Sequence, residues 1–457
     1  MPKPAVLALD LGTSSVRTAL FDEKARIISG SLGRTEYDVR YSGESGAELD
    51  PVALLRATKK SLRLTKSRAP LVAGSGFWHS LLGLDRRGQP LTPIYTWADS
   101  RSATDAAVLR KKLDERSNQQ RTGCMLRASF WPAKLFWLRR TQPRLFRRVA
   151  RWVSPAEWIF DKIFGVAACS HSMASGTGLY NSSAQDWDDQ LLELLGLTKS
   201  QLNPLRDQEE DCFPAIGDGA AGNLGSGASV PGIFAINFGT SAAVRTVPHE
   251  EVKLPFGLFR FVIDRHRALL GGAVSNAGNL RAWCLRELRV SPNDRALSAA
   301  AERAARLTIL PFWIEERAPT WPENIRGVVL GLTQATTAAD LLYATTAAVC
   351  HRLAEIFDLL ESVNGPSKKI VVSGGILQSP ASLQILADSL GREILICADQ
   401  EASLRGAAVH ALEQTGHKVP PPRYGRRFRP GRKASAAAAV ARQQQVELEE
   451  RLTIERF

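Results

Sequence analysis

No run of apolar residues in this sequence is long enough to cross a bilayer as a helix. The first residues, MPKPAVLALD, lead straight into a strand pattern. They lack the apolar h-region and small-residue cleavage site of a secretory leader. A membrane partner is therefore not expected, and a cytoplasmic setting is. The six cysteines, Cys124, Cys169, Cys212, Cys284, Cys350 and Cys397, are scattered and form no C-x-x-C pair. That spacing excludes a zinc ribbon or a disulfide framework and suits buried thiols in a reducing compartment.

The chain is also short of compensating acid, with a formal charge of +13. The excess is uneven. The tail from Lys418 onward carries ten Lys/Arg against four Glu, and the block 134–151 holds seven basic residues and no acid. Neither block comes with a zinc finger, an RNA-binding sheet signature or a basic-zipper heptad, so a nucleic-acid partner is not expected. A solvated surface that mildly attracts anionic substrates is the simpler reading.

What is present is an ordinary globular composition, 44% hydrophobic and 23% charged, over 457 residues. One hydrophobic core does not usually grow that large, so two domains are expected. Short apolar runs at 5–10, 16–21 and 26–30 predict a three-stranded meander. The spacing over 48–67 predicts a helix, and 71–76 and 80–85 predict strands. A second cycle follows Pro231. Strands are predicted at 232–237 and 242–247, a hairpin at 261–264 and 268–270, and a long helix over 337–363. A strand at 369–373, a helix at 380–390, a strand at 393–397 and a helix at 401–414 complete it. Beyond Pro420 the Pro- and Arg-rich stretch PPPRYGRRFRPGRK reads as a surface linker before a terminal helix near 434–454.

Two short motifs repeat across these cycles. Asp10-Leu11-Gly12-Thr13-Ser14 in the first matches Asn237-Phe238-Gly239-Thr240-Ser241 in the second, each between two strands. Phosphate needs open backbone N–H groups and short hydroxyls, which a Gly-Thr-Ser turn provides. Asp10, at the end of its strand, is a carboxylate able to hold Mg²⁺ directly or through water. Taken singly each turn could be a plain hairpin; the duplication favours function. Two similar α/β lobes facing each other would place both turns at one cleft.

Asp218 lies in the small-residue segment GDGAAGNLGSG, sterically open and able to orient a hydroxyl and take its proton. It could equally be a helix N-cap. Ser373-Gly374-Gly375-Ile376-Leu377-Gln378 stands between a strand and a helix, where a flat ring or a phosphate can rest on backbone. Trp78, His79 and Trp97, with Asp99 and Arg101, offer an apolar wall and directional polar groups for an acceptor. A lone His or Trp in such a place is more often a core residue.

In this order the motifs resemble the FGGY carbohydrate kinase family of the actin–hexokinase–chaperone superfamily, from about residue 4 to about 415. The matching segments are LDLGTSSVRTALFD, WHSLLGLDRRGQPLTPIYTWADSR, PAKLFWL, SMASGTGLYN, PAIGDGAAGNLGSGA, INFGTSAAVRT, WPENIRGVVLGLT, IVVSGGILQSPASLQILADSLG and EASLRGAA. The resemblance implies two actin-like, ribonuclease H-like α/β lobes, each a mixed five-stranded sheet with flanking helices. The active site would lie in the interlobe cleft. Expected boundaries are 1–228 for the sugar-binding lobe, 229–416 for the nucleotide lobe and 417–457 for a basic linker and terminal helix.

The resemblance also implies roles. Asp218 would be the general base and Asp10 the Mg²⁺-associated carboxylate. Gly12, Thr13, Ser14, Gly239 and Thr240 would hold the phosphates of ATP. Gly331, Gly374, Gly375 and Gln378 would line the nucleotide, and Trp78, His79, Trp97 and Asp218 would face the sugar. Closure of the lobes would exclude water. Gluconokinase-like details are His79-Ser80-Leu81, Thr96-Trp97-Ala98-Asp99-Ser100-Arg101, Asn223, the segment 271–279 and Glu316-Arg317-Ala318-Pro319. They point to D-gluconate as acceptor, with pentulose or polyol kinases of the xylulokinase or ribulokinase type as the alternative. Phe77-Trp78-His79-Ser80 stands where Gln-Met-His-Gly is common, and Ala344-Thr345-Thr346-Ala347 also departs from the family pattern. A non-catalytic sensor on this fold would be expected to lose Asp10 or Asp218, and both are present. An actin- or chaperone-like ATPase would not need the sugar-side Trp and His. A monomer or homodimer is expected.

Overall fold

The computed structural model describes residues 3–43, 45–65, 69–290, 293–322, 325–399 and 401–454. The chain divides into two compact units. The first comprises residues 1–227, 259–269 and 401–421, and the second 228–258, 270–400 and 422–457. No helix among the described residues is long and apolar enough to cross a membrane. All six cysteines are free thiols, five of them buried.

The first unit is built on a five-stranded mixed sheet. Its strands are β1 (Val6–Leu11), β2 (Ser15–Phe21), β3 (Gly33–Glu36), β4 (Leu71–Gly76) and β5 (Cys212–Gly217), in the order β5-β4-β1-β2-β3. β1 is buried along its whole length, which explains its continuous apolar run. It pairs antiparallel with β2 and parallel with β4, and β4 pairs parallel with β5. Helix α1 (Pro51–Thr65) buries Leu54, Ala57 and Ser61. The predicted residues 66 and 67 at its end lie outside the described residues.

The third strand of the meander is not where the sequence places it. Residues 26–30 make only one bridge, Ile27 to Phe21, and the strand forms later, at β3. The chain turns in between: Gly30 takes φ +75°, and the Ser31 hydroxyl donates to Ile28 O at 2.6 Å while accepting from Leu20 N at 3.0 Å. Apolar content marked that segment, but the turn decides it.

The second unit carries strands β6 (Ile233–Phe238), β7 (Ala242–Thr246), β8 (Arg267–Val274, of which 270–274 lie in this unit), β9 (Lys369–Ser373), β10 (Ile394–Cys397) and β11 (Tyr424–Phe428). They run in the order β8-β7-β6-β9-β10-β11. Again the first strand pairs antiparallel with the next (β6 with β7) and parallel with the later one (β6 with β9). The core lies between this sheet and the helices α2 (Ala338–Asn364) and α3 (Pro380–Leu390), through Leu353, Ile356, Phe357 and Leu386. α2 starts with a capping box, Thr337 with Asp340.

The expected linker is corrected. The Arg-rich stretch forms β11, which pairs with β10 at the edge of a sheet larger than the five strands expected. Three of its cations are paired. Arg423 binds Asp399 at 2.9 Å, and Arg427 and Arg429 bind Glu393 at 3.3 and 2.8 Å. Charged side chains on an edge strand also discourage pairing with another chain. The terminal helix α4 (Arg432–Ile454) is docked on α2. Arg352 Nη1 donates to Glu449 Oε2 at 2.6 Å, and Gln445 Nε2 donates to Ala348 O at 3.2 Å.

Candidate active site

In the first unit, strand register gathers the chemistry. Leu11 lies opposite Gly76, and Gly76 opposite Gly217, so β1, β4 and β5 end in one row across the sheet. Three segments leave that carboxyl edge together: the Gly12–Ser14 turn, Phe77-Trp78-His79, and Asp218. Ligands of open α/β sheets characteristically bind at such an edge.

Asp10 is 2% exposed. Its Oδ2 accepts from Arg17, directly opposite on β2, and its Oδ1 accepts from the Ser75 hydroxyl on β4. Arg17 Nη1 also donates to Glu401 Oε2. A buried carboxylate needs such pairing. The following turn is closed by Gly12 N donating to Ser15 O at 3.0 Å and by the Tyr37 hydroxyl donating to Gly12 O. Thr13 is half-buried and Ser14 exposed at its tip.

Asp218 is not an N-cap. It is the first residue of a short helix, Asp218–Gly225, whose N-cap is Gly217. Its Oδ1 accepts from Gly219 N at 2.8 Å, and the side chain is half-buried. The small residues of this helix have a packing reason. A Cβ on Gly406 would overlap Ala221 O, and one on Gly225 would overlap Ala402 O, in the helix Ala402–Gln414. Arg405 Nη1 then donates to Gly225 O at 2.8 Å and caps the last turn.

The acceptor-side residues divide into two groups. His79 is half-buried with φ +67°, a left-handed conformation uncommon outside glycine. It is held by a hydrogen bond between Nδ1 and Gly176 O and by the Phe130 ring at 4.8 Å. Trp97 is half-buried, and its backbone N–H donates to Ser80 Oγ at 3.1 Å, which ties it to the residue after His79. Trp78 is different: it is 4% exposed and its indole N–H donates to Ser172 O at 3.0 Å.

Arg101 is not open to grip a carboxylate. It donates to Asp99 and, at 2.6 Å, to Glu48, with its guanidinium over Trp137 at 4.9 Å. Lys134, from the basic block, is fully buried. It donates to the carbonyls of Ala128 (2.7 Å), Ser129 (2.9 Å) and Asp99 (3.3 Å). Burial pulls it down to about 7, against the attraction of Asp99.

In the second unit, Gly239 and Thr240 form the turn between β6 and β7, with Gly239 N donating to Ser241 O at 2.9 Å. A Cβ on Gly239 would meet nothing nearer than 3.8 Å, so the backbone is open to approach. Gly278 N donates to Gly239 O at 3.0 Å and Asn279 N to Thr240 O at 3.1 Å. Gly374, just after β9, has φ +96°, and a Cβ there would meet Phe238 O at 2.6 Å. Gly375 and Gln378 are exposed on the short turn that follows. The structure thus brings Gly239, Thr240, Gly374 and Gly375 to one sheet edge. Gly331 instead follows the small ribbon of strands Thr308–Leu310 and Val328–Leu330.

Sequence reasoning missed Arg17, Ser75, Ser172 and Glu401. Arg17 and Ser75 could have been found from register, since both face Asp10 across neighbouring strands. Ser172 and Glu401 carry no local signal. No cluster of three or more His, Cys, Asp or Glu suited to a metal occurs among the described residues.

The N-terminal domain model of the FGGY family of carbohydrate kinases matches residues 5–244, and its C-terminal domain model matches 234–414. The chain is 28% identical to a gluconokinase of Bacillus subtilis, over 90% of this chain and 88% of that one. Its fold is similar to that of a ligand-bound xylulose kinase from Lactobacillus acidophilus, with TM-score 0.90 and 23% identity over 98% of each chain. A Plasmodium falciparum glycerol kinase with ADP has TM-score 0.85 and 18% identity, over 98% of this chain and 99% of that one. With both halves of the family model accounted for, this chain belongs to the FGGY family of carbohydrate kinases.

Proposed function

We propose that this carbohydrate kinase transfers the γ-phosphoryl group of ATP to a hydroxyl of a small sugar acid or polyol, with D-gluconate to 6-phosphogluconate as the first choice. One observation carries this reading: the row Leu11, Gly76, Gly217 aligns the Gly12–Ser14 turn, His79 and Asp218 on one edge. A phosphate turn, an acceptor contact and a base are then within one neighbourhood.

The residues fit a nucleotide. Open backbone at Gly239 and Gly375, beside the close packing of Gly374 on Phe238, suits phosphate and ring against main chain. Gly12, Thr13, Ser14, Gly239 and Thr240 would donate to phosphate oxygens, with Gly331, Gly374, Gly375 and Gln378 along the nucleoside. Mg²⁺ fits less directly. Both Asp10 oxygens already accept hydrogen bonds, so Asp10 would hold Mg²⁺ through water, and the ion when bound would offset phosphate charge. Bound ATP supplies the electrophilic phosphoryl group. Asp218 orients the acceptor hydroxyl and accepts its proton, while the turn amides and hydroxyls offset charge on the phosphates. Residues 1–228 would carry the sugar and the base, 229–416 the nucleotide.

A second reading, a pentulose or polyol kinase, is favoured by Arg101. Its commitment to Asp99 and Glu48 removes the most obvious grip on a substrate carboxylate. An ADP-release screen across gluconate, xylulose, ribulose and glycerol separates the two. Gluconate is expected to give the highest kcat/KM; a pentulose or glycerol preferred by tenfold or more, on the order of 1.4 kcal/mol, replaces it. ADP release that no sugar stimulates contradicts kinase activity altogether.

A further inference from the structure

We infer that Trp78 is a positioning residue, which fixes the start of the Asp218 helix, and so the carboxylate, by packing its indole into space left by two glycines. This rests on the reading of Asp218 as the base. Gly217 has φ −65° and ψ 144°, and Gly176 has φ −82°, conformations open to any residue. Their lack of a side chain therefore answers to space rather than to backbone freedom. A Cβ on Gly217 would overlap the indole at Cε2, and one on Gly176 would overlap it at Cδ1. The ring lies between them, backed by Phe261 at 4.6 Å between centroids.

Polar contacts complete the clamp. The indole N–H donates to Ser172 O at 3.0 Å, while Gly217 N donates to Ser172 Oγ at 3.2 Å. Trp78 and the residue just before Asp218 thus hang on the same serine. At 4% exposure the indole has little surface to offer a sugar. Its shape instead determines where β5 stops and the helix begins, and only a glycine at 217 tolerates it. The geometry makes Trp78 and Gly217 a matched pair.

The test is compensation. Gly217→Ala should lower kcat by about tenfold or more while KM for ATP stays within about twofold, because misplacing a reacting group by an ångström is enough for that loss. Adding Trp78→Leu to Gly217→Ala makes room for the new methyl and should recover at least about threefold of the lost kcat. Trp78→Phe, which keeps an aromatic ring but drops the N–H, should fold. It should lower kcat by about threefold or more while KM for ATP stays within about twofold. Unchanged kcat in Gly217→Ala, no recovery in the double variant, or unchanged kcat in Trp78→Phe each overturns the inference. Should Gly217→Ala not fold, the kcat-against-KM split of Trp78→Phe decides alone. Asp218→Asn run in parallel separates the failures. If it turns over normally, the base assignment falls and takes this inference with it; if it is inactive and compensation is absent, only the inference falls.

Discussion

The two Gly-Thr-Ser turns share a frame and differ in charge. Asp10 and Asn237 hold equivalent places, the second residue before the turn glycine. Each faces a serine on the parallel neighbour, Ser75 or Ser373, and each side chain bonds that serine. A glycine follows both serines. Across the antiparallel neighbour they part: Asp10 faces Arg17, whereas Asn237 faces Ala243. A buried carboxylate comes with a cation, and the neutral amide in the same place comes without one. The duplicated element has kept its hydrogen-bond geometry. At the second turn an amide and an alanine stand where the first has a carboxylate and a cation.

The largest effect is expected from Arg17→Ala, which leaves Asp10 buried without its cation. A loss of about 3–5 kcal/mol is expected, read from the urea midpoint. Adding Asp10→Asn converts the first turn to the chemistry of the second and should recover at least half of it; if it recovers nothing, the equivalence fails. Next in size is Asn237→Asp, which puts a new charge in a half-buried place opposite Ala243. It should be destabilising by about 1–3 kcal/mol, and Ala243→Arg should offset part of that.

Acid should then weaken both units. Burial holds His351 in the second unit and His410 in the first down to about 4, from an ordinary 6.5. Asp264 and Asp207 oppose the burial at His410, and the Gln445 hydrogen bond opposes it at His351. Below pH 6.5 the unfolded chain takes up protons that the folded chain refuses. Stability is therefore whole above pH 6.5 and lost as pH falls through about 4. The slope is up to about 1.4 kcal/mol per pH unit for each histidine. His351→Gln and His410→Gln should each flatten the urea-midpoint profile; equal slopes in all variants refute it. The smallest effect expected is from Ser75→Ala against Ser373→Ala. Each loses a hydrogen bond of about 1 kcal/mol, more at Ser75, where the partner is charged.

The fold was largely legible because central strands such as β1 are buried along their whole length and the long helix has clear periodicity. The strand predicted at 369–373 and the helix at 380–390 match Lys369–Ser373 and Pro380–Leu390. What hid was tertiary. Proline and arginine in PPPRYGRRFRPGRK argue for a linker, yet Asp399 and Glu393 supply the counter-charges that let β11 form. The Asp218 segment looked like a capped helix start, but Gly217 is set by the indole of Trp78 and Gly225 by backbone contact with the helix Ala402–Gln414. Neither partner is near in sequence. Arg101 likewise looked like a substrate grip until Glu48 was seen beside it.

In the proposed reaction the carboxylate at the start of the Asp218 helix takes the acceptor's proton. Turnover and nucleotide affinity of Asp218→Asn, measured on the same folded preparation, decide this. A fall in kcat of about 10²–10⁴-fold is expected, with the Kd for ATP within about threefold of the parent's. Near-normal turnover with the best acceptor would remove Asp218 as the base.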